Sequence, residues 1–114
     1  MSSTSTGRTA EATTADYLTT IGYTLIDRNW HNRFCEIDLV ARNAGTIHFI
    51  EVKYRATTAT GDPADFIGPG KLHRLRRAAA AWVQAHHWSG PYQIDVVGVT
   101  GDGAVTHIGN ITGS

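Results

Sequence analysis

The sequence predicts an α/β fold in which a mixed sheet is flanked by helices. Two patterns carry this prediction. Apolar residues recur at helical spacing along residues 71–86, whereas along residues 34–42 they alternate with polar residues, as they do in a strand. The predicted elements follow the order α-β-β-β-α-β, and a chain of 114 residues suits one compact domain.

The first helix is predicted over residues 9–21, and Gly22 stands where a helix commonly ends. The apolar residues that fall near one side of it are Ala15, Leu18 and Ile21. Residues 1–7 are rich in Ser and Thr and contain no apolar run, so we expect a flexible tail and not a signal peptide. A single domain is therefore expected over residues 8–114.

Three strands are predicted next, over residues 23–29, 34–42 and 46–54. The dipeptide Ala44-Gly45 indicates a tight turn between the last two of them. Because strand side chains alternate between faces, the middle strand is expected to have two distinct faces. One face carries Ile37, Leu39 and Ala41, and the other carries Glu36, Asp38 and Val40.

A loop is predicted over residues 56–70, which are rich in Thr, Gly and Pro, and the second helix over residues 71–86. The apolar stripe of this helix consists of Leu72, Leu75, Ala79, Trp82 and Val83. A fourth strand over residues 92–99 and a short edge strand over residues 104–108 complete the predicted fold.

Composition excludes several classes of protein. Basic and acidic residues number 10 each, so any case for a nucleic-acid partner has to rest on local charge. The single cysteine, Cys35, rules out an internal disulfide and suits a reducing compartment, so a cytoplasmic location is expected. No apolar run is long enough to span a bilayer, and no membrane partner is predicted.

The most informative pattern is a pair of carboxylates on the predicted hairpin. Counting outward from the Ala44-Gly45 turn places Asp38 directly opposite Glu51, with Cβ atoms about 4.5–5.5 Å apart. Two like charges there destabilise a hairpin unless a cation offsets them, and carboxylate oxygens suit Mg²⁺. Lys53 lies two residues after Glu51, on the same face, where it can stabilise charge that develops on a phosphate oxygen.

The same residues have a simpler interpretation. Exposed strands often alternate charges, so Glu51 and Lys53 alone would be read as a cross-strand ion-pair rim. The opposed Asp38 and the apolar runs that precede both carboxylates favour a metal site for phosphodiester hydrolysis instead.

The segments at 36–40 (EIDLV) and 49–55 (FIEVKYR) resemble the two core motifs of the YraN family of bacterial proteins. The resemblance extends over most of the chain, from Ala10-Glu11 to Asp95-Val96. It implies a restriction-endonuclease-like fold related to Holliday junction resolvases. Two positions depart from the family pattern: Cys35 stands in place of a common Gly, and Gln93 in place of a common Arg.

The resemblance implies a catalytic set of Asp38, Glu51 and Lys53, with Mg²⁺ or Mn²⁺ held by Asp38, Glu51 and Glu11. It also implies DNA as the partner, with branched or junction DNA as a candidate substrate, and it is compatible with a homodimer. The residues themselves allow another interpretation of Glu11, because a carboxylate in the first turn of a helix also stabilises the helix dipole.

Basic residues supply candidates for nucleic-acid contacts. No Asp or Glu occurs between Asp65 and Asp95, so the second helix carries positive charge alone. The residues predicted to bind nucleic acid are Arg33, Arg55, Lys71, Arg74 and Arg77. A solvated helix face is the competing interpretation for each residue of the helix. Residues 30–33 are predicted to form a hairpin loop in which Trp30 could stack on nucleic acid, and an ordinary turn is the competing interpretation. His86 and His87 are predicted to be surface residues, because adjacent histidines on a helix diverge.

The sequence thus predicts a divalent-metal-dependent endonuclease acting on DNA. The alternative is a protein on the same fold that binds nucleic acid or serves as a scaffold without catalysis.

Overall fold

The computed structural model describes residues 3–33, 35–55 and 67–112, with side chains from residue 9 onward. Its elements are α1 (Ser3–Thr20), β1 (Thr24–His31), β2 (Glu36–Asn43), β3 (Thr46–Arg55), α2 (Pro69–Ala85), β4 (Tyr92–Thr100) and β5 (Val105–Ile108). The five strands form one sheet in the order β1-β2-β3-β4-β5. Only β3 and β4 pair in parallel, with α2 between them in the chain, so the predicted mixed α/β, restriction-endonuclease-like fold is confirmed.

The β2–β3 hairpin has the predicted turn and register. Ala44 and Gly45 have positive φ values of 52° and 80°, the backbone that a two-residue hairpin turn requires. The pairs run without a shift from Asn43↔Thr46 to Leu39↔Ile50. The regular pairing ends there, one position before Asp38 and Glu51.

The two helices cover opposite faces of the sheet. Helix α1 packs its buried Ala15 and Leu18 against Leu39, Ala41 and Ile50. Helix α2 packs its apolar stripe, which also includes Ala78, against a second cluster. The sheet residues of this second cluster are Ile37, Val40, Ile47, Phe49 and Ile94. Both apolar faces are therefore removed from water, which is the main source of stability in such a fold.

The predicted face of Ile37 is wrong, because it packs with Val40 and Phe49 on the α2 side. The regular ladder with β3 ends at Leu39, and beyond that point β2 no longer follows the strict alternation of a paired strand. The predicted inward side of α1 is wrong for Ile21, which is 48% exposed because the helix ends at Thr20.

Several predicted boundaries also differ. Helix α1 begins at Ser3, so the backbone of residues 3–7, predicted to be a tail, is helical. Trp30 and His31 continue β1 and pair with Ile37 and Glu36, whereas a loop was predicted there. The edge strand β5 is present. The predicted loop at 56–70 lies mostly outside the described residues, and no helix among the described residues has the length and apolar character needed to cross a membrane.

Candidate active site

The candidate site lies where β2 and β3 separate. At the end of their regular pairing, the backbone N–H of Val52 donates to Asp38 Oδ2 at 2.8 Å. This hydrogen bond places the Asp38 carboxylate between the two strands and beside Glu51, the residue that precedes Val52. The structure therefore brings Asp38 and Glu51 together, although the regular pairing of the two strands ends one position earlier.

Glu51 is buried and Asp38 is half-buried, and the pKa values of both carboxyl groups are raised. Burial raises the pKa of Asp38, although the Val52 N–H opposes the shift. Burial and the charge of Asp38 raise the pKa of Glu51 further, to about 7. The pair therefore retains a proton to a higher pH than an isolated carboxyl group does. Burial raises the pKa values of both groups more than like charge does, although the sequence argument relied on like charge.

Two lysines face this pair. Lys53 follows Glu51 on the same side of β3, and its positive charge lowers the pKa of Glu51. Lys71, in the first turn of α2, brings its Nζ to 3.6 Å from Glu51 Oε2. The sequence assigned Lys71 to nucleic acid and missed this contact, since nothing in a local pattern relates a helix to a strand 20 residues earlier.

The pair suits a hard divalent cation. Glu51 Oε2 is buried and has the Lys71 ion pair but no hydrogen bond among the described residues, so its lone pairs remain available to a metal. Within residues 3–33, 35–55 and 67–112, no three His, Cys, Asp or Glu side chains form a ready-made metal cluster. Mg²⁺ does not need one, because it commonly binds through one or two carboxylates, waters and substrate phosphates.

Glu11 lies near the pair and within a second network. The charge of Asp38 helps to raise its pKa, after burial as the larger cause. With its side-chain nitrogen as donor, Asn29 donates to Glu11 Oε1 at 3.0 Å and to Glu36 Oε1 at 2.8 Å. The structure thus brings Glu11 to this end of the sheet from the α1 side, while its role as a metal ligand stays a prediction.

The predicted nucleic-acid contacts are distributed around this site. Arg55 is part-buried at the end of β3, and its Nη1 donates to the carbonyl of Tyr54 at 3.1 Å. Arg74 and Arg77 are exposed on α2, and Arg33 is exposed in the segment that joins β1 and β2. Trp30, considered as a base-stacking group, is part-buried, and its ring centroid is 6.5 Å from that of His86.

The sequence predicts that His86 is a surface residue, and the structure shows that it also packs against other rings. It is exposed, but its ring stacks on Trp82 with 3.9 Å between centroids. Both rings approach Asp27, whose Oδ2 accepts from Trp82 Nε1 at 3.3 Å and lies 3.9 Å from His86 Nε2. The Trp30 side of the molecule is therefore a packed aromatic surface.

A second buried carboxylate, Asp95, was missed. It is fully buried, and its Oδ2 lies 2.7 Å from His48 Nδ1 and 2.9 Å from His107 Nε2. Its Oδ1 accepts from the Gln93 side chain and from the Asn110 backbone N–H, both at 2.8 Å. Gln93, the residue that departs from the family pattern, therefore still bonds Asp95. Burial would raise the pKa of Asp95, but these donors, His107 and His48 first, hold it well below its usual range.

Comparison with known proteins identifies the family of this chain. Residues 10–99 match the uncharacterised protein family UPF0102. The chain belongs to this family. Proteins named UPF0102 protein in Clavibacter michiganensis subsp. michiganensis and Leifsonia xyli subsp. xyli are 48% and 44% identical to it over 94 residues. Each alignment covers 82% of this chain and 80% of the relative.

A further relative, from Neisseria meningitidis serogroup C, is 38% identical over 108 residues and 94% of both chains. The resemblance to the YraN family, which is UPF0102, is thereby confirmed. The UPF0102 match includes both carboxylates, Lys53, Lys71 and Glu11. The family description gives no activity, so function has to be argued from the site.

Proposed function

We propose that this UPF0102 protein is a divalent-metal-dependent endonuclease acting on DNA. One observation carries the proposal: two carboxylates shielded from water, Asp38 and Glu51, oppose each other, and one oxygen of Glu51 has no hydrogen-bond partner among the described residues. When both carboxyl groups are ionised, such a pair costs stability unless cations offset its charge. The proposed ligand is Mg²⁺ or Mn²⁺.

In this proposal Asp38 and Glu51 hold the cation. When bound, the cation supplies Lewis-acid polarisation of the phosphate. Lys53 lies on the Glu51 side of β3 and donates to the oxygen on which negative charge develops. Glu11, already close enough for its pKa to respond to Asp38, contributes a further carboxylate at the edge of the site.

The DNA would approach along the basic surface of α2 and the end of β3. Arg74 and Arg77 are exposed there, and Arg55 lies two residues after Lys53 in the sequence. Phosphate contacts of this kind position a nucleic acid without reading its sequence. Branched or junction DNA is the proposed substrate, and a homodimer would match the two-fold symmetry of a four-way junction.

The test is a cleavage assay on duplex, single-stranded, forked and four-way-junction DNA, with Mg²⁺ or Mn²⁺ present. Glu51→Gln should abolish cleavage and keep DNA binding, because Gln has the size of Glu but not its charge. Lys53→Ala should lower kcat by about 100-fold to 1,000-fold, the typical loss for one transition-state donor, with little change in affinity. Circular dichroism confirms that both variants are folded.

The competing function is a nucleic-acid-binding or scaffold protein without catalysis. It would be established by wild-type protein that binds the DNA panel but cleaves none of it with either metal. Equal cleavage by wild type and both variants would show that the activity comes from a contaminant.

A further inference from the structure

Lys71 differs from the other basic residues of α2 in what it contacts. Its ammonium lies 3.6 Å from Glu51 Oε2, the distance of an ion pair and longer than a good hydrogen bond. The Lys71 side chain is 33% exposed, whereas that of Glu51 is 8% exposed. A part-exposed cation thus reaches inward to a buried carboxylate.

The charge of the site explains why a lysine is needed there. Asp38 and Glu51 are both shielded from water, and Glu36 adds negative charge beside Asp38. A buried carboxylate without a counter-charge is strongly unfavourable. Lys71 forms an ion pair with Glu51 of this carboxylate pair. Lys71 therefore supplies positive charge beside Glu51, where a bound divalent cation would also supply it.

A lysine can also give up that position. Its ammonium is a compact charge on a flexible chain, and the exposed part of Lys71 leaves it room to move toward solvent. Two cations a few ångströms apart repel each other, so a divalent cation at Glu51 Oε2 would weaken the ion pair with Lys71. The solvent side of the site is where a DNA phosphate would lie.

We propose that Lys71 is an exchangeable cation of the active site. It neutralises Glu51 when no metal is bound, leaves Glu51 when a divalent cation binds, and then donates to the phosphate that is cleaved. The first two steps require only a metal site at Glu51, and the third rests on the proposed function.

The first experiment measures Mn²⁺ affinity of the free protein, by calorimetry and by the rise of Tm, at a pH of about 8.5 so that Glu51 is largely ionised. Lys71→Met should bind Mn²⁺ about threefold to tenfold more tightly than wild type, because no ion pair has to be broken. Lys71→Arg keeps the charge and should bind as wild type does. Arg76→Met, on the same helix but directed to the Thr112 carbonyl, is the matched control and should also bind as wild type does.

Unchanged or weaker Mn²⁺ binding by folded Lys71→Met would overturn the exchange. A purely structural lysine would lower Tm without tightening metal binding, and a purely DNA-binding lysine would leave metal affinity unchanged. Both outcomes contradict the proposal.

The second experiment follows cleavage. Lys71→Met should lower kcat by about 100-fold while the KM for DNA changes little. Arg76→Met, whose guanidinium is directed to the Thr112 carbonyl in wild type, should leave both kcat and KM unchanged. A raised KM with an unchanged kcat for Lys71→Met would instead assign Lys71 to the DNA-binding residues. If wild type cleaves no DNA, the proposed function fails, and the Mn²⁺ comparison still decides whether Lys71 exchanges with metal.

Discussion

At the scale of single residues, the buried charge of Glu51 links the site to pH. Its pKa is about 7 in the folded protein and 4.5 when unperturbed, so between these values the folded state binds more protons than the unfolded state. The free energy of unfolding therefore falls as pH rises from about 4.5 to about 7, and above a pH of about 7 the loss is on the order of 3 kcal/mol.

Glu51→Gln removes this charge and tests its effect on stability. The variant should be more stable than wild type at a pH of about 8, and the difference should shrink toward a pH of about 5. Urea denaturation at a series of pH values measures it. Asp16→Asn, which removes an exposed carboxylate on α1, serves as the control for charge alone. Parallel pH profiles for wild type and Glu51→Gln would show that the Glu51 charge is not destabilising.

Divalent cations should reverse the effect in the wild type. A ligand that binds only the folded state stabilises it by about 2.7 kcal/mol at roughly 100 times its Kd. At a pH of about 8, Mg²⁺ or Mn²⁺ should raise the Tm of wild type but not that of Glu51→Gln. Thermal melts with metal and with chelator provide the measurement. An equal rise in both proteins would place the metal elsewhere.

The sequence predicted the opposition of Asp38 and Glu51 because a tight turn fixes the register of a hairpin. It did not predict how strongly Glu51 is buried, since that depends on α2 covering the face. The Lys71 contact and the Asp95 network were missed for the same reason. They join residues that are distant in sequence, and periodicity describes only what lies within one element.

At the scale of elements, α2 combines a well-predicted apolar stripe with an exposed basic surface. Replacing Arg74 and Arg77 together by Ala should weaken DNA binding at low salt. It should also reduce the slope of log affinity against log salt by roughly 0.9 for each phosphate that the variant no longer neutralises. Fluorescence anisotropy across a salt series measures the slope.

The matched control is Arg76→Ala on the same helix. The guanidinium of Arg76 is directed to the Thr112 carbonyl at 3.5 Å, so replacing it should leave the slope unchanged. An unchanged slope for the double variant would assign Arg74 and Arg77 to an ordinary solvated helix face.

Strand β1 shows where local sequence signals fail. Residues 30–33 have the polar and aromatic mixture of a loop, yet Trp30 and His31 pair with β2. Asn29 takes a positive φ of 52°, a conformation that Asn tolerates better than most residues, and the strand continues beyond it. Pairing with a neighbouring strand and the packing of Trp30 against the α2 cluster outweigh local preference here.

At the scale of the whole molecule, Asp95 connects β4 to β3, to β5 and to the segment after β5. Its hydrogen bonds reach His48 on β3, His107 on β5 and Asn110 beyond β5. Because each donor comes from a different part of the chain, removal of the carboxylate should weaken the whole domain and not one strand. Asp95 aligns with Ile50 on β3, so it lies on the opposite face of the sheet from Glu51.

Asp95→Asn should lower the free energy of unfolding by about 3 kcal/mol, since an amide cannot accept from all of these donors. Gln93→Ala removes one donor and should cost about 1 kcal/mol. Urea denaturation measures both changes. The Mn²⁺ affinity of each folded variant should equal that of wild type. Weaker Mn²⁺ binding by Asp95→Asn would show that the two carboxylate sites are coupled.

The two-residue turn at Ala44-Gly45 restricts how the length of this hairpin can change. Adding or deleting one residue in either strand would shift the register by one, and Asp38 would then face the opposite side of the sheet from Glu51. A matched pair of residues, one added to each strand, would preserve both the register and the facing carboxylates. Length variation between the two motifs is therefore compatible with the site only in even steps, unless a β-bulge absorbs the odd residue.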